Sequence, residues 1–494
     1  MTMNKIALLP VCAAFVSISI AVVGCPGFVD GCDFGPCGSD GSTTDGTLPD
    51  GKTDTSVVDA PADAPIPVGC DTPNEPLKNP EKCLTDIFGA YVSPSGDDGN
   101  PGTKTKPYQT IAKALEGSMA RVVVCEGTYT ASVEIKRDVA IFSGVDCAFA
   151  KVGGKAKVVA TKPEYAIAIN APANAVRLGE VEVEAIDGIE TSPNSIALLV
   201  NGASGVKLFS VTATAKKGVD GRKGDDGAVG AAGDVGKDAA GITQGGGTAK
   251  TCTATSNGGA GGGPGGGGQA GSPPLPENPP GANGSGGGAA VVTCNANGFA
   301  GIGKDGARAA DSAAAPVITA RGALTTTWQP SRGVDGAIGG PGQGGGGGSG
   351  ITGGGGGGGT GGCGGTGGKG GAGGGASVAL VSINAAIQLD TVTLKGGAGG
   401  AGGAGGAGGG GGLGGNGGGA GSNGCGAGAG GQGARGGAGS GGAGGISVAV
   451  LYKGTKPSGQ ATLSFGTVGT PGTGGAPGVN DGPVGAAQNE LEVP

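Results

Sequence analysis

Histidine is absent from this chain of 494 residues. That absence excludes Ser-His-Asp and Cys-His catalysis, histidine-liganded zinc and imidazole pH switching together. Aromatic residues make up 3% and the AVILMFWYC set 36%, much of it alanine. Side chains able to fill a core are therefore confined to a few stretches. Positive charge is short as well: 31 Lys and Arg stand against 38 Asp and Glu, a net charge of −7. A nucleic-acid partner needs a clustered basic surface and is not expected, and no motif calls for haem or a nucleotide cofactor.

Glycine is in excess, at 124 residues. It buries no side chain and loses the most backbone freedom on ordering. Residues 396–409 read as Gly-Gly-Ala repeats, and Gly-dominated text fills most of 218–270 and 332–445. From 218 to 236 glycine recurs at every third position. Disorder is one reading of such text. The period of three favours another, in which extended threefold backbones pack side by side in a polyglycine-II-like manner. Calcium-binding β-rolls are excluded, because residues 396–445 contain no acid. The composition resembles that of PE-PGRS proteins, although no PE-type helical head precedes the glycine.

The first residues read as a targeting segment. Lys5 begins a short basic region, Ile6 to Val23 is mostly apolar, and Val22-Val23-Gly24-Cys25 follows. This string resembles the lipobox of bacterial lipoproteins. The resemblance implies a signal over 1–24 and lipidation at Cys25. Pro26, where an Asp would retain the protein at the inner membrane, leaves the outer membrane as the expected anchorage, with a surface-facing position expected there. An uncleaved membrane anchor is the alternative, disfavoured by Pro10. Residues 25–69 read as an acidic flexible tether, with Asp40, Asp45, Asp50, Asp54, Asp59 and Asp63 among Gly, Ser, Thr and Pro.

Of 12 cysteines, Cys12 leaves with the signal and Cys25 is acylated, so ten remain. An even count in an exported chain implies disulfides. Spacing cannot set the connectivity; sequential pairing would join Cys32/Cys37, Cys70/Cys83, Cys125/Cys147, Cys252/Cys294 and Cys363/Cys425. Without histidine or a C-x-x-C pair, a metal site is not expected.

Residues 91–115 hold a short strand, a Gly/Asn/Pro turn and a helix in which Thr110 is the N-cap and Gly117 the stop. With Gly127-Thr128-Tyr129 between β-branched runs, this stretch resembles the start of an uncharacterised pectin-lyase-like family. The resemblance implies an all-β fold, a right-handed parallel β-helix whose strand and helix cap the first coil. Short apolar runs continue to residue 213 without a further amphipathic helix. Two later strand pairs, at 377–394 and 446–468, repeat the pattern of 195–212, and each leads into glycine. We therefore expect cap and coils over 70–213, Gly-rich inserts over 214–376 and 395–445, and a Gly/Pro-rich tail over 469–494.

Because the resembling class includes polysaccharide lyases, carboxylates and bases merit a search. Glu180, Glu182 and Glu184 alternate with Val181 and Val183, which as a strand puts them on one side at about 6.6 Å steps. A basic partner or Ca²⁺ could sit there, although a solvated outer edge explains them more simply. Lys151, Lys155, Lys157 and Lys207 are candidate bases with no arrangement legible in sequence. Asp97 and Asp98 fit turn geometry. Trp328 could stack on a sugar, or anchor its insert by local packing. The expected function is a cell-surface structural, adhesive or glycan-binding role with polysaccharide or other surface components as partners. The alternatives are a polysaccharide lyase or hydrolase acting on a β-helix side, and a module that assembles with its own kind.

Overall fold

The computed structural model describes residues 67–70, 75–272, 284–286, 294 and 303–494. The expected signal, Cys25, Cys32, Cys37 and the tether up to residue 66 lie outside the described residues.

Short β-branched runs stack as a three-sided parallel β-helix. The first side carries Ala90–Val92, Arg121–Cys125, Val139–Val145, Val176–Gly179, Val206–Phe209 and the opening half of Ile387–Lys395. The second carries Gly127–Thr130, Ala156–Val159, Val181–Glu184, Thr212–Thr214 and the closing half of Ile387–Lys395. Ser458–Ser464 is the last strand of both. The third side stacks Val133–Ile135, Ile167–Asn170, Ser195–Asn201, Ser377–Ile383, Ser447–Lys453 and Ala487–Glu492.

Register aligns the inward residues of successive coils into apolar columns. Val122, Ile141, Leu178, Leu208 and Leu389 stand one above another on the first side. Val133, Ile167, Leu198, Leu380 and Val450 do so on the third. All ten are buried, at about 1.5–3 kcal/mol of transfer free energy per side chain. The helix Ile111–Glu116 closes the top: Thr110 Oγ1 accepts from the Lys113 amide at 3.1 Å, while Ile111 and Ala114 are buried in the core. Arg137 donates to the carbonyls of Leu115 and Met119 at 3.1 and 2.9 Å, fastening that helix to the coil below.

The outer surfaces of the sides are covered selectively. Leu77, Leu84 and Phe88 pack on the upper first side against Tyr91, Val123, Phe142 and Phe149. Two disulfides, Cys70–Cys83 and Cys125–Cys147, belong to this cap. A hairpin, Gly322–Leu324 with Trp328–Pro330, sets Leu324 and Trp328 on the third side against Ile196, Val378 and Val448.

Three times the chain leaves the β-helix between its second and third sides, after Thr214, Lys395 and Ser464, and it returns at Ser377, Ser447 and Ala487. The β-ladder register runs on into these glycine-rich excursions. Thr214 pairs with Lys395, 181 positions on, and the Gly218, Gly221, Gly224 and Gly227 amides then donate to the carbonyls of Ala398, Ala401, Ala404 and Ala407. The returning segments bond likewise, Gly374 to Ala443, Gly371 to Ser440 and Gly368 to Gly437. Outgoing and returning segments run antiparallel: Gly403 donates to Ala372, Gly406 to Lys369 and Gly409 to Thr366.

Glycine density follows enclosure. Over 218–236 every third residue is glycine, buried or half-buried, and most residues between are exposed. At Gly344–Gly348 and Gly353–Gly359 glycine is unbroken and every residue is buried. A Cβ on Gly406 would overlap the Asp225 carbonyl, whereas one on Gly410, in line with Ala401, Ala404 and Ala407, would meet nothing within 4 Å.

Two expectations require correction. Among the described residues the other two disulfides are Cys252–Cys363 and Cys294–Cys425, not the sequential pairs Cys252/Cys294 and Cys363/Cys425. The Cys425 carbonyl accepts from Gly356, seven residues along the segment from Cys363 (363 − 356), a separation of about 20 Å in extended backbone. Gly358 donates to Gly259 and Gly361 to Ser256 Oγ, which brings Cys252 beside Cys363 instead. Residues 469–494, expected as a tail, include the strand Ala487–Glu492 on the third side.

Candidate binding cleft

Side chains alternate along a strand, so the residues flanking the buried leucines of the first side point outward. Register sets them in two columns. One runs Ala140, Arg177, Lys207, Gln388; the other, two residues along each strand, runs Phe142, Gly179, Phe209, Asp390. The cap covers this side only as far as Phe142, whose ring lies 6.2 Å from that of Phe88. Below it the columns border a cleft of about 190 Å³ that also reaches Leu178 and Leu208. Its floor is apolar and its rim carries two cations and one carboxylate.

Gly179 shapes this cleft. A carbon at its Cβ position would stand 3.7 Å from Cδ1 of Phe142 and 3.7 Å from Cδ1 of Phe209. The missing side chain thus leaves a gap in the aromatic column. Among the described residues neither Arg177 nor Lys207 forms an ion pair, and Asp390 accepts a hydrogen bond from the Thr391 hydroxyl at 3.0 Å. Two depressions adjoin the cleft. One shares Lys207 and Gln388 and extends to Lys456 and Ser458; the other shares Phe209 and reaches Lys155 and Glu180. Lys456 is held by Glu490.

The acidic triplet does not form a ligand-binding row. Glu180 lies before the strand Val181–Glu184, at a corner with φ of 56°, so the alternation expected from sequence breaks there. Ser210 and Thr391 occupy the same corner in the following coils, at 50° and 56°. Glu180 is bridged to Lys155 at 3.2 Å and accepts from the Ser210 hydroxyl at 2.8 Å. Glu184 meets Lys157 at 2.7 Å and Lys216 at 2.8 Å. Hydrogen bonds from Lys157 and then Lys216 hold the Glu184 carboxyl below the usual carboxylate range, and Glu184 raises the Lys157 ammonium in return. Glu182 is exposed. Among the described residues no three His, Cys, Asp or Glu side chains group as a metal site.

Trp328 is 2% exposed, so it cannot present its ring to a sugar; it fastens the hairpin to the third side. Asp97 turns the chain by accepting from the Gly99 amide at 2.8 Å. Asp98 receives the Thr110 hydroxyl and amide and the Gln109 amide at 2.8 to 2.9 Å. Burial raises the Asp98 carboxyl, but these bonds outweigh it and the net direction is down. Of the candidate bases Lys207 alone reaches the cleft. Phe142, Arg177, Gly179, Phe209 and Asp390 escaped the sequence reading. Their signal is the aligned triplets Ala140-Ile141-Phe142, Arg177-Leu178-Gly179, Lys207-Leu208-Phe209 and Gln388-Leu389-Asp390, visible once coils are superposed.

Residues 94–219 match a family described as a protein of unknown function, DUF1565. The uncharacterized protein YwoF of Bacillus subtilis (strain 168) is 48% identical over 48 residues, which cover 9% of this chain and 10% of that one. The chain therefore spans about a tenth of that relative's length. Among solved structures, a rhamnogalacturonan lyase is similar at 17% identity and a TM-score of 0.21, covering 25% of this chain and 35% of its own. A GH136 lacto-N-biosidase from Eubacterium ramulus follows at 14% and 0.20, covering 25% and 26%. The stacked parallel sheets form a parallel β-helix, and its first coils, within residues 94–219, are similar to a family with no assigned activity.

Proposed function

We propose that this chain is a lipid-anchored, surface-facing outer-membrane lipoprotein whose β-helix binds a saccharide along its first side. The cleft carries this reading. With the adjoining depression it joins an aromatic column, on which the apolar face of a sugar ring can lie, to two cations without an ion pair among the described residues and to amide and hydroxyl groups that match sugar oxygens. Cleavage by a lyase or hydrolase calls for a base beside at least two carboxylates, and the cleft is lined by one, Asp390. Binding without turnover fits this lining better than catalysis does.

The glycine-rich excursions are, in this reading, a polyglycine-II-like wall that stiffens the corner from which they leave. In support, backbone bonds recur at every third residue and glycine density rises with enclosure. The acidic tether and the lipid on Cys25 hold the assembly at the membrane surface.

Titration of the mature protein with a panel of neutral and acidic oligosaccharides tests the binding. The expected result is saturable binding to at least one, weakened about tenfold by combined Arg177→Ala and Lys207→Ala. Absence of binding across the panel, or chain cleavage on incubation, overturns it. Radioactive palmitate should label the wild type and not Cys25→Ala; equal labelling removes the anchor. Protected amides over 396–445 in hydrogen exchange support the wall, and complete exchange within seconds refutes it.

A further inference from the structure

The gap at Gly179 is one atom layer thick. A carbon set at the missing Cβ position touches a ring carbon of Phe142 and one of Phe209 at 3.7 Å each, within the optimal carbon–carbon separation of about 3.5–4.0 Å. The two phenylalanines flank residue 179 in register, one strand above and one below. A planar group entering from solvent would therefore meet the Phe142 ring on one side and the Phe209 ring on the other. A puckered ring is too thick to enter between the two without spreading the strands, and a sugar would lie across their outer edges instead.

The walls are held in place independently of any ligand. Phe142 is 6% exposed and locked from above by Phe88 and the cap cluster. Phe209 follows the buried Leu208 on a strand bonded on both edges, so its backbone cannot retreat. Arg177 lies on the same strand as Gly179, two residues before it, and Lys207 precedes Phe209 by the same step. Both border the cleft and neither forms an ion pair among the described residues, while Asp390 closes the far end of the aromatic column. A negative charge is favoured beside the two cations and disfavoured near Asp390.

From this geometry we infer that the cleft holds an aromatic carboxylate, its planar ring between Phe142 and Phe209 and its carboxylate on Arg177 and Lys207. The inference stands on the slot alone, so a protein that binds no saccharide leaves it untouched. It requires planarity and negative charge together, and each can be varied separately.

Binding of 2-naphthoate to the mature protein, followed by calorimetry, is compared with cyclohexanecarboxylate and 2-naphthamide. The expected order puts 2-naphthoate first, with the saturated acid and the neutral amide each about tenfold weaker. Gly179→Leu fills the slot; a Cβ there makes only ordinary contacts, so the variant keeps its thermal midpoint and loses naphthoate binding. Phe209→Ala, at a half-buried position, removes one wall and gives a second reading if Gly179→Leu does not fold. Arg177→Ala with Lys207→Ala should abolish the preference for acid over amide and keep the preference for planar over saturated. Equal affinity for the planar and saturated acids, no measurable naphthoate binding, or unchanged binding in a folded Gly179→Leu protein overturns the assignment.

Discussion

Replacing Gly406 by alanine tests whether the glycine-rich excursions are held by backbone contact. Gly406 donates to the Lys369 carbonyl at 2.8 Å and accepts from the Gly439 amide at 2.9 Å. Its missing Cβ faces the Asp225 carbonyl so closely that an added methyl would overlap it. To admit the methyl, the 396–421 segment must move away from the 218–236 segment. That strains the neighbouring bonds from Gly224 to Ala404 and from Gly227 to Ala407, both 2.8 Å. Overpacking costs about 1–3 kcal/mol, and weakening two backbone bonds adds roughly 0.5–1.5 kcal/mol each. A local loss of about 2–4 kcal/mol follows, because some of the strain relaxes into the bonds already counted. Hydrogen exchange at the amides of Gly224, Gly227 and Gly439 should then quicken roughly thirtyfold to several-hundredfold. Gly410→Ala is the control: its Cβ meets nothing within 4 Å, and the loss of unfolded-state freedom should stabilise by about 0.4–1 kcal/mol. Equal exchange in the two variants would refute the reasoning, since the same substitution is made four residues apart and contact alone distinguishes the sites.

Acid should loosen these segments. Backbone amides of Ala401, Ala407 and Arg435 bond the carboxylates of Asp220, Asp226 and Asp311 and hold all three below the ordinary aspartate value. Their contribution is complete above the unfolded value near about 4 and is lost as pH falls through the lowered folded values. Thermal midpoints from pH 6 downward should drop there in the wild type and less in a triple Asp→Asn protein, and parallel curves would count against it. Peptide mapping without reduction should recover Cys252 joined to Cys363 and Cys294 joined to Cys425, and recovery of Cys363 with Cys425 would disprove the packing. Trp328→Ala should cost about 3–5 kcal/mol by uncovering the third side, whereas a loss below about 1 kcal/mol would mean that the hairpin is not an anchor.

The solenoid was legible because its cause is local. Short runs rich in β-branched residues, such as Arg121–Cys125 and Ser377–Ile383, dictate strands, and recurrence of the same pair before each glycine stretch shows where coils resume. The Thr110 cap could be read for the same reason, since its bond reaches three residues along the chain. The cleft was not legible. Phe142, Gly179 and Phe209 are 67 residues apart from first to last (209 − 142), and only the register of three coils makes them neighbours. The sequence reading placed Glu180 in a strand because alternation looks the same in a strand and at a left-handed corner.

The sequence by itself determined the class of fold, the period of the glycine text and the absence of any histidine chemistry. Each is a property of composition or of neighbours along the chain. Tertiary structure alone decided which cysteines join, where Trp328 is buried and which outward side chains border one cleft. Those outcomes depend on how far each excursion runs before it returns. An offset of 181 positions pairs Thr214 with Lys395 and carries the ladder on to the bond from Gly218 to Ala398, and no local preference of these residues encodes that number.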